Sequence, residues 1–140
     1  MAASGTYISQ SDVENVFGTE NVARWSNLDS TSTDANETRI QAAIDYAEAR
    51  VDDRFRPSRY RVPLVGDGAT LRAVVDWAAK LAGIWLYESR GLHDAGDTAH
   101  KLTALKASVE AEINMYLAGQ RTLAAQLKRT DAPTAPKVIE

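Results

Sequence analysis

Between residues 37 and 52 the apolar positions Ile40, Ala43, Ile44, Ala47 and Val51 recur at spacings of three and four. That period puts them on one face of a helix of about 18 residues. Asp34 and Glu37 have the three-residue spacing of a capping box at its start, and Pro57 ends it. The opposite face carries Arg39, Gln41, Asp45, Glu48 and Asp52, which are expected in water. From Phe55 to Ala69 the chain holds Pro57, Pro63, Gly66 and Gly68, which forbid a continuous helix. Leu71, Val74, Val75, Ala78, Leu81, Ala82 and Trp85 then predict a helix over 70–89 that is apolar around more than half its circumference. It should be the most buried element, with Trp85 on its stripe and Trp77 beside it with room for partial exposure; Trp25, Trp77 and Trp85 read as core residues rather than a ligand cage. Gly91 to Gly96 break it. Asp97 or Thr98 can cap a last helix carrying Leu102, Leu105, Val109, Ile113, Tyr116 and Leu117, with Gly119 as terminator.

The N-terminal part predicts two short helices. Ser9 and Asp12 have capping spacing, Val13, Val16 and Phe17 make a stripe, and Gly18 stops it. Glu20 to Trp25 forms a second turn before a polar loop, 26–36. After Gly119, Leu123 and Leu127 continue an apolar pattern that becomes a Pro-containing tail. The predicted class is all-α: a small bundle of three long helices plus a short N-terminal helical pair, with an irregular Pro-containing loop and an extended C-terminal arm. Residues 1–119 make the helical body and 120–140 the arm, extended or partly helical, which has too few apolar positions to pack fully alone.

Composition narrows the function. The chain has 140 residues and no cysteine, which excludes disulfide scaffolds, Cys-based zinc sites, iron–sulfur clusters and thiol catalysis. No run of about 18 apolar residues exists, so no membrane span is expected. The first residues lack the basic-then-apolar order of a secretory signal. A net charge of −3 argues against a protein built mainly to neutralise phosphates.

The charge is uneven. Arg50, Arg54, Arg56, Arg59 and Arg61 face only Asp52 and Asp53 within one short stretch. With Phe55 and Tyr60 between them, these arginines could grip a nucleic-acid backbone, which is the alternative of a DNA-binding regulatory protein using Arg50–Arg61. They could equally pair with carboxylates of this chain or of a neighbouring copy, since Arg and Tyr are favoured at protein interfaces. His93 and His100, with Asp94 and Asp97 between them, have residue types a metal could use, but a Gly-rich break separates them, so a surface loop is the simpler reading. Gly66-Asp67-Gly68 lacks the Lys-Ser/Thr of a phosphate loop and reads as a turn. Glu110 and Glu112 point in different directions on one helix. No catalytic set, metal site or cofactor is expected, and the chain is not expected to be an enzyme.

One order of residues is familiar. Tyr7-Ile8-Ser9 leads into Asp12 and Phe17-Gly18; a helix with Ala43-Ile44 and Ala47 precedes Arg59-Tyr60-Arg61-Val62-Pro63-Leu64; the last helix ends Tyr116-Leu117-Ala118-Gly119-Gln120, with Leu123 beyond. This resembles the small head–tail connector proteins of tailed bacteriophages, also called adaptor or head-completion proteins, in particular the Mu-type family of neck proteins, over about residues 6–124. The resemblance implies a virion protein of the neck, made in the host cytoplasm. It implies a homo-oligomeric ring, typically of 12 copies, beneath the portal protein. The ring extends the DNA channel, passes genomic DNA without reading its sequence, and offers a surface to a stopper or tail-terminator protein. On that reading Arg54, Arg56, Arg59, Tyr60, Arg61, Pro63 and Leu64 serve ring or portal contacts. Leu123, Leu127, Lys128, Arg129, Val138 and Ile139 belong to an arm that docks on the portal.

Overall fold

The computed structural model describes residues 2–27, 34–66, 68–89, 97–123, 125 and 127. Among them it is all-helical, with five helices and no strand: α1 (Gln10–Phe17), α2 (Thr19–Ser26), α3 (Glu37–Phe55), α4 (Gly68–Glu88) and α5 (Asp97–Leu117). None of the described helices is long and apolar enough to cross a membrane.

The helix α4 is the hub and packs on the other four. Its buried arc runs through Val74, Trp77, Ala78, Leu81, Ala82, Ile84 and Leu86. Its largest contact is with α3, which contributes Ile40, Ala43, Ile44, Ala47, Val51 and Phe55, all fully buried. Alanines recur at that contact, letting the two axes approach, while the large side chains fill the space at either end. From the other side α5 adds Leu102, Val109, Ile113 and Tyr116.

Trp77 is not at the edge of the stripe. It is 0% exposed, its ring stacks on Phe55 at 5.8 Å, and its indole N–H donates to Glu112 Oε1 at 2.7 Å. A buried tryptophan needs a partner for that N–H, and α5 supplies it. Trp85 is the half-buried one, with Tyr46 stacked at 6.1 Å and the Arg39 guanidinium 5.3 Å from its ring. Val16 also faces outward and leaves Val13 as the core residue of α1.

Local signals set most of the ends. The Asp12 carboxylate accepts from the Ser9 backbone N–H at 2.8 Å, as the capping spacing predicts. At α3 the cap is Asn36 rather than Asp34: its side chain accepts from Arg39 N–H at 3.2 Å. Asn36 N–H in turn donates to the buried Ser26 hydroxyl at 2.9 Å, which ties the end of α2 to the start of α3. At the end of α5, Gly119 takes φ +81°, Gln120 N–H reaches Met115 O at 2.9 Å and Gly119 N–H reaches Tyr116 O at 3.2 Å. This is the Schellman arrangement, in which a left-handed glycine lets the last helical carbonyls be satisfied.

The N-terminal segment is held by the polar face of α3. Backbone N–H groups of Thr6, Tyr7 and Ile8 all donate to the Glu48 carboxylate, at 2.9, 2.7 and 2.9 Å. The Gln41 amide accepts from Ser4 N–H at 3.1 Å and donates to Ser4 O at 2.8 Å. Ala3 and Ile8 are buried by the result. Gly5 passes so close that a Cβ there would sit 2.5 Å from Glu48 Oε1, so no larger residue fits without moving that carboxylate. The expectation that Glu48 faces water is thereby overturned: the residue is 8% exposed. At about 100° per residue, Gln41, Glu48 and Asp52 fall within about 40° of one another and make a polar stripe that receives a second piece of backbone.

Candidate functional site

The arginine-rich stretch begins in the last turns of α3 and continues through the irregular segment 56–66. Its first members are engaged within the chain. Arg50 Nη2 lies 3.3 Å from Glu110 Oε2 of α5. Arg54 pairs with the same Glu110 and donates to Asn114. Burial, and then the charge of Arg50, hold the Arg54 guanidinium below its ordinary range. Arg56 pairs with Asp53 one turn back, with both side chains more than half exposed. A pair so open to water adds little stability.

Arg59 is exposed, with its guanidinium 5.0 Å from the centre of the Tyr60 ring and Nη2 donating to the Tyr60 hydroxyl at 3.0 Å. Arg61 and Pro63 are exposed too. With Thr6, Asp52, Arg56 and Val62 they line an open groove of about 460 Å³. The charged face that remains outward is thus Arg56, Arg59 and Arg61, whereas Arg54 bridges α3 to α5.

Tyr60 and Leu64 do not join that face. Tyr60 is 1% exposed and Leu64 3%. The Tyr60 ring meets Phe55 edge-on at 5.8 Å, and its hydroxyl accepts from Leu123 N–H at 2.9 Å. Leu64 N–H donates to the Tyr7 hydroxyl at 2.8 Å, and that hydroxyl donates to Asp52 Oδ1 at 2.5 Å. Two tyrosine hydroxyls therefore fix the segment at both ends, one against the N-terminal segment and one against the chain beyond α5. An irregular loop with arginines and a proline on its outer side is thus tied to the body by hydrogen bonds at Tyr60 and Leu64.

The Tyr7 contact gives a pH prediction. Burial first, and then the hydrogen bond to Asp52, push the Tyr7 hydroxyl well above its ordinary value. The folded state then holds that proton more tightly than the unfolded chain. The contribution is complete below the ordinary tyrosine value of about 10 and is lost as pH rises above it toward the raised folded value. Urea midpoints measured from pH 8 to 11 should fall at the alkaline end, and Tyr7→Phe should flatten that limb. An unchanged alkaline limb in Tyr7→Phe would show that Tyr7 does not titrate with unfolding.

Leu123 sits in the core, 4% exposed. Leu127 is 50% exposed and bridges to Tyr60, and Ala125 bridges to Gly66. Lys128, Arg129, Val138 and Ile139 lie outside the described residues, as do His93 and Asp94. His100 is exposed near the start of α5. Among the described residues no group of three or more His, Asp or Glu could hold a metal ion. Glu110 and Glu112 point apart, the first to Arg50 and Arg54, the second to Trp77 and to Arg121 at 3.9 Å.

Sequence reasoning missed Glu48 and Tyr7 as the clamp behind this segment. The available signal was the helical spacing of Gln41, Glu48 and Asp52 on one face.

Comparison with curated protein sequences finds no match. The sequence model of one protein family, described as bacteriophage Mu, Gp36, matches residues 7–103. The matched region opens on Tyr7, runs through all of α1 to α4 with the clamped arginine segment, and ends in the first turns of α5. It takes in well over half of the chain, and the chain accordingly belongs to the bacteriophage Mu Gp36 family.

Proposed function

We propose that this phage structural or morphogenesis protein is a head–tail connector of the virion neck. It assembles as a ring, typically of 12 copies, beneath the portal. It extends the DNA channel and presents a surface to the stopper or tail-terminator protein. The body, 1–119, forms the ring, and the arm, 120–140, reaches the portal. The reading carries no catalytic step and no cofactor. Genomic DNA passes through without sequence-specific contact.

The observation that supports it best is the family membership, joined to a segment hydrogen-bonded to the body with Arg56, Arg59, Arg61 and Pro63 exposed. A head-to-tail ring needs two different complementary faces on each copy. An exposed arginine-bearing segment on a chain of net charge −3 suits one of them. A mildly acidic protein also suits a channel that must let DNA slide, because few phosphates are neutralised.

The test belongs on the exposed arginines, since Tyr60 is a core residue. The double variant Arg59→Glu, Arg61→Glu should stay folded, losing about 1–2 kcal/mol with the contact of Arg59 on the Tyr60 ring and hydroxyl. Portal co-sedimentation should fall at least about tenfold, equivalent to about 1.4 kcal/mol, and phage carrying the variant should yield heads without tails. Tail-bearing particles at normal titre would overturn the role of this face. Binding of DNA with a steep salt dependence would favour the regulatory alternative instead.

A further inference from the structure

Three adjoining hollows run from the arginine segment to α1. The first is the groove of about 460 Å³ with Arg56, Arg61 and Pro63 on its walls. Thr6 and Pro63 also line a second hollow of about 360 Å³, which holds Leu64, Val65 and Leu71. Leu71 and Val75 in turn line a third of about 350 Å³ that reaches Val16 and Ala79. Along this course Val65 is 47% exposed, Leu71 38% and Val16 39%. Single apolar residues at a surface are ordinary, but three on one connected course form a patch, and such patches mark contact sites. Among the described residues none beyond α5 lines any of the three hollows. The chain there passes Gly66 at Ala125 and Tyr60 at Leu127, so it runs away from Leu71.

The two ends differ in charge. At the α1 end the lining carries one arginine, Arg72, against Asp12 and Asp76. Both acids are engaged locally: Asp12 accepts from Ser9 N–H at 2.8 Å, and Asp76 lies 2.9 Å from Lys80 Nζ. At the other end two arginines, Arg56 and Arg61, stand against Asp52 alone, and Asp52 accepts from the Tyr7 hydroxyl. Arg56 also pairs with Asp53, with both side chains more than half exposed, and so open a pair yields readily to a carboxylate that brings further contacts. The course therefore offers apolar hollows in its middle and guanidinium groups at one end. A guanidinium takes a carboxylate through two parallel hydrogen bonds.

We propose that this course is the docking site for one acidic, apolar segment of a partner protein. Its large apolar side chains fill the hollows beside Leu71, and the carboxylates at one of its ends meet Arg56 and Arg61. The inference deepens the reading of the arginine face as a protein contact and rests on it. It also names the partner's chemistry, which that reading leaves open. A nucleic-acid backbone would use the arginines and leave the apolar hollows unfilled, whereas an acidic segment with apolar side chains uses both.

A random library of peptides about 12 residues long, displayed on yeast, tests the pairing when it is selected on the full-length chain and counter-selected on Leu71→Asp. Enriched peptides should carry two or more large apolar residues with Asp or Glu gathered at one end. Synthetic copies should bind the wild-type chain at least about tenfold tighter than Leu71→Asp and Arg61→Glu. Replacing their acids with Lys should abolish binding. If Leu71→Asp lowers the melting temperature, Val65→Asp or Val16→Asp replaces it, since both residues are exposed. No enrichment over the counter-selection overturns the proposal, and so do enriched peptides that are basic or that bind Leu71→Asp as well as wild type. Peptide binding seen only after removal of residues 128–140 makes the chain's own tail the occupant and overturns it. Self-association that Leu71→Asp abolishes, without peptide enrichment, makes a second copy the occupant and overturns it too. Portal co-sedimentation of the wild-type chain reads the neck assignment separately. Portal binding by a chain that enriches no peptide removes the docked segment alone, and enrichment without portal binding removes the neck reading alone.

Discussion

Glu48→Ala should destabilise the protein by about 3 kcal/mol and free the N-terminal segment from α3. Three backbone N–H groups converge on this carboxylate. A hydrogen bond to a charged acceptor contributes about 1.5–3 kcal/mol, and a donor left buried without a partner costs about 1–3 kcal/mol. The sum is not reached, because residues 3–8 can peel away and rehydrate their amides. Peeling then exposes Ala3 and Ile8, both now buried. For a chain of this size about 3 kcal/mol lowers the melting temperature by roughly 10 °C. Glu48→Gln should lose much of the same stability, since its amide offers one acceptor oxygen and turns an NH2 group toward donors. Hydrogen exchange locates the effect: the amides of Thr6, Tyr7 and Ile8 should lose protection in both variants while the centre of α4 keeps its own. A melting temperature within about 1 °C of wild type in Glu48→Ala would contradict the clamp, given how far a loss of this size should move it.

Tyr60→Ala should be the more damaging change, at about 3–5 kcal/mol, the range for removing a large buried aromatic. The ring packs edge-on against Phe55, which stacks on Trp77, which meets Tyr116 edge-on at 5.3 Å. Its loss opens a cavity at one end of this aromatic row. Tyr60→Phe separates the two parts of the residue. The ring remains, Leu123 N–H loses its acceptor, and the cost should be about 1–2 kcal/mol. Urea unfolding ranks the two variants. Exchange at the Leu123 amide should quicken in Tyr60→Phe with the helices still protected. Equal losses in the two variants would place the whole contribution in the hydroxyl and contradict the packing account.

The sequence-level reading succeeded where a residue's role depends on its near neighbours. The stripe Ile40, Ala43, Ile44, Ala47 and Val51 is fully buried as its period predicts. Gly119 terminates α5, and the Ser9–Asp12 spacing caps α1. It read Trp77 as core but set it beside the stripe with room for partial exposure, because the angular centre of a broad apolar arc depends on which neighbours close over it, and α3 and α5 both close over Trp77. It failed at Glu48 for a related reason. A carboxylate opposite an apolar stripe belongs in water unless another segment supplies donors, and those donors come from residues about 40 positions away.

The arginine segment divides along the same line. Its composition and excess positive charge are plain in the chain, as is the absence of a helix through Pro57 and Pro63. The sequence by itself therefore determined the helices, their core faces, the terminating glycine, the basic segment and the likeness to a phage family. Only the tertiary structure decided which arginines bind α5, that Tyr60 and Leu64 point inward, and that Tyr7, Glu48 and Leu123 lock the loop. Helical period and turn chemistry act over a few residues and can be read along the chain. The partner of a polar group is chosen by whichever distant segment the packed core brings against it.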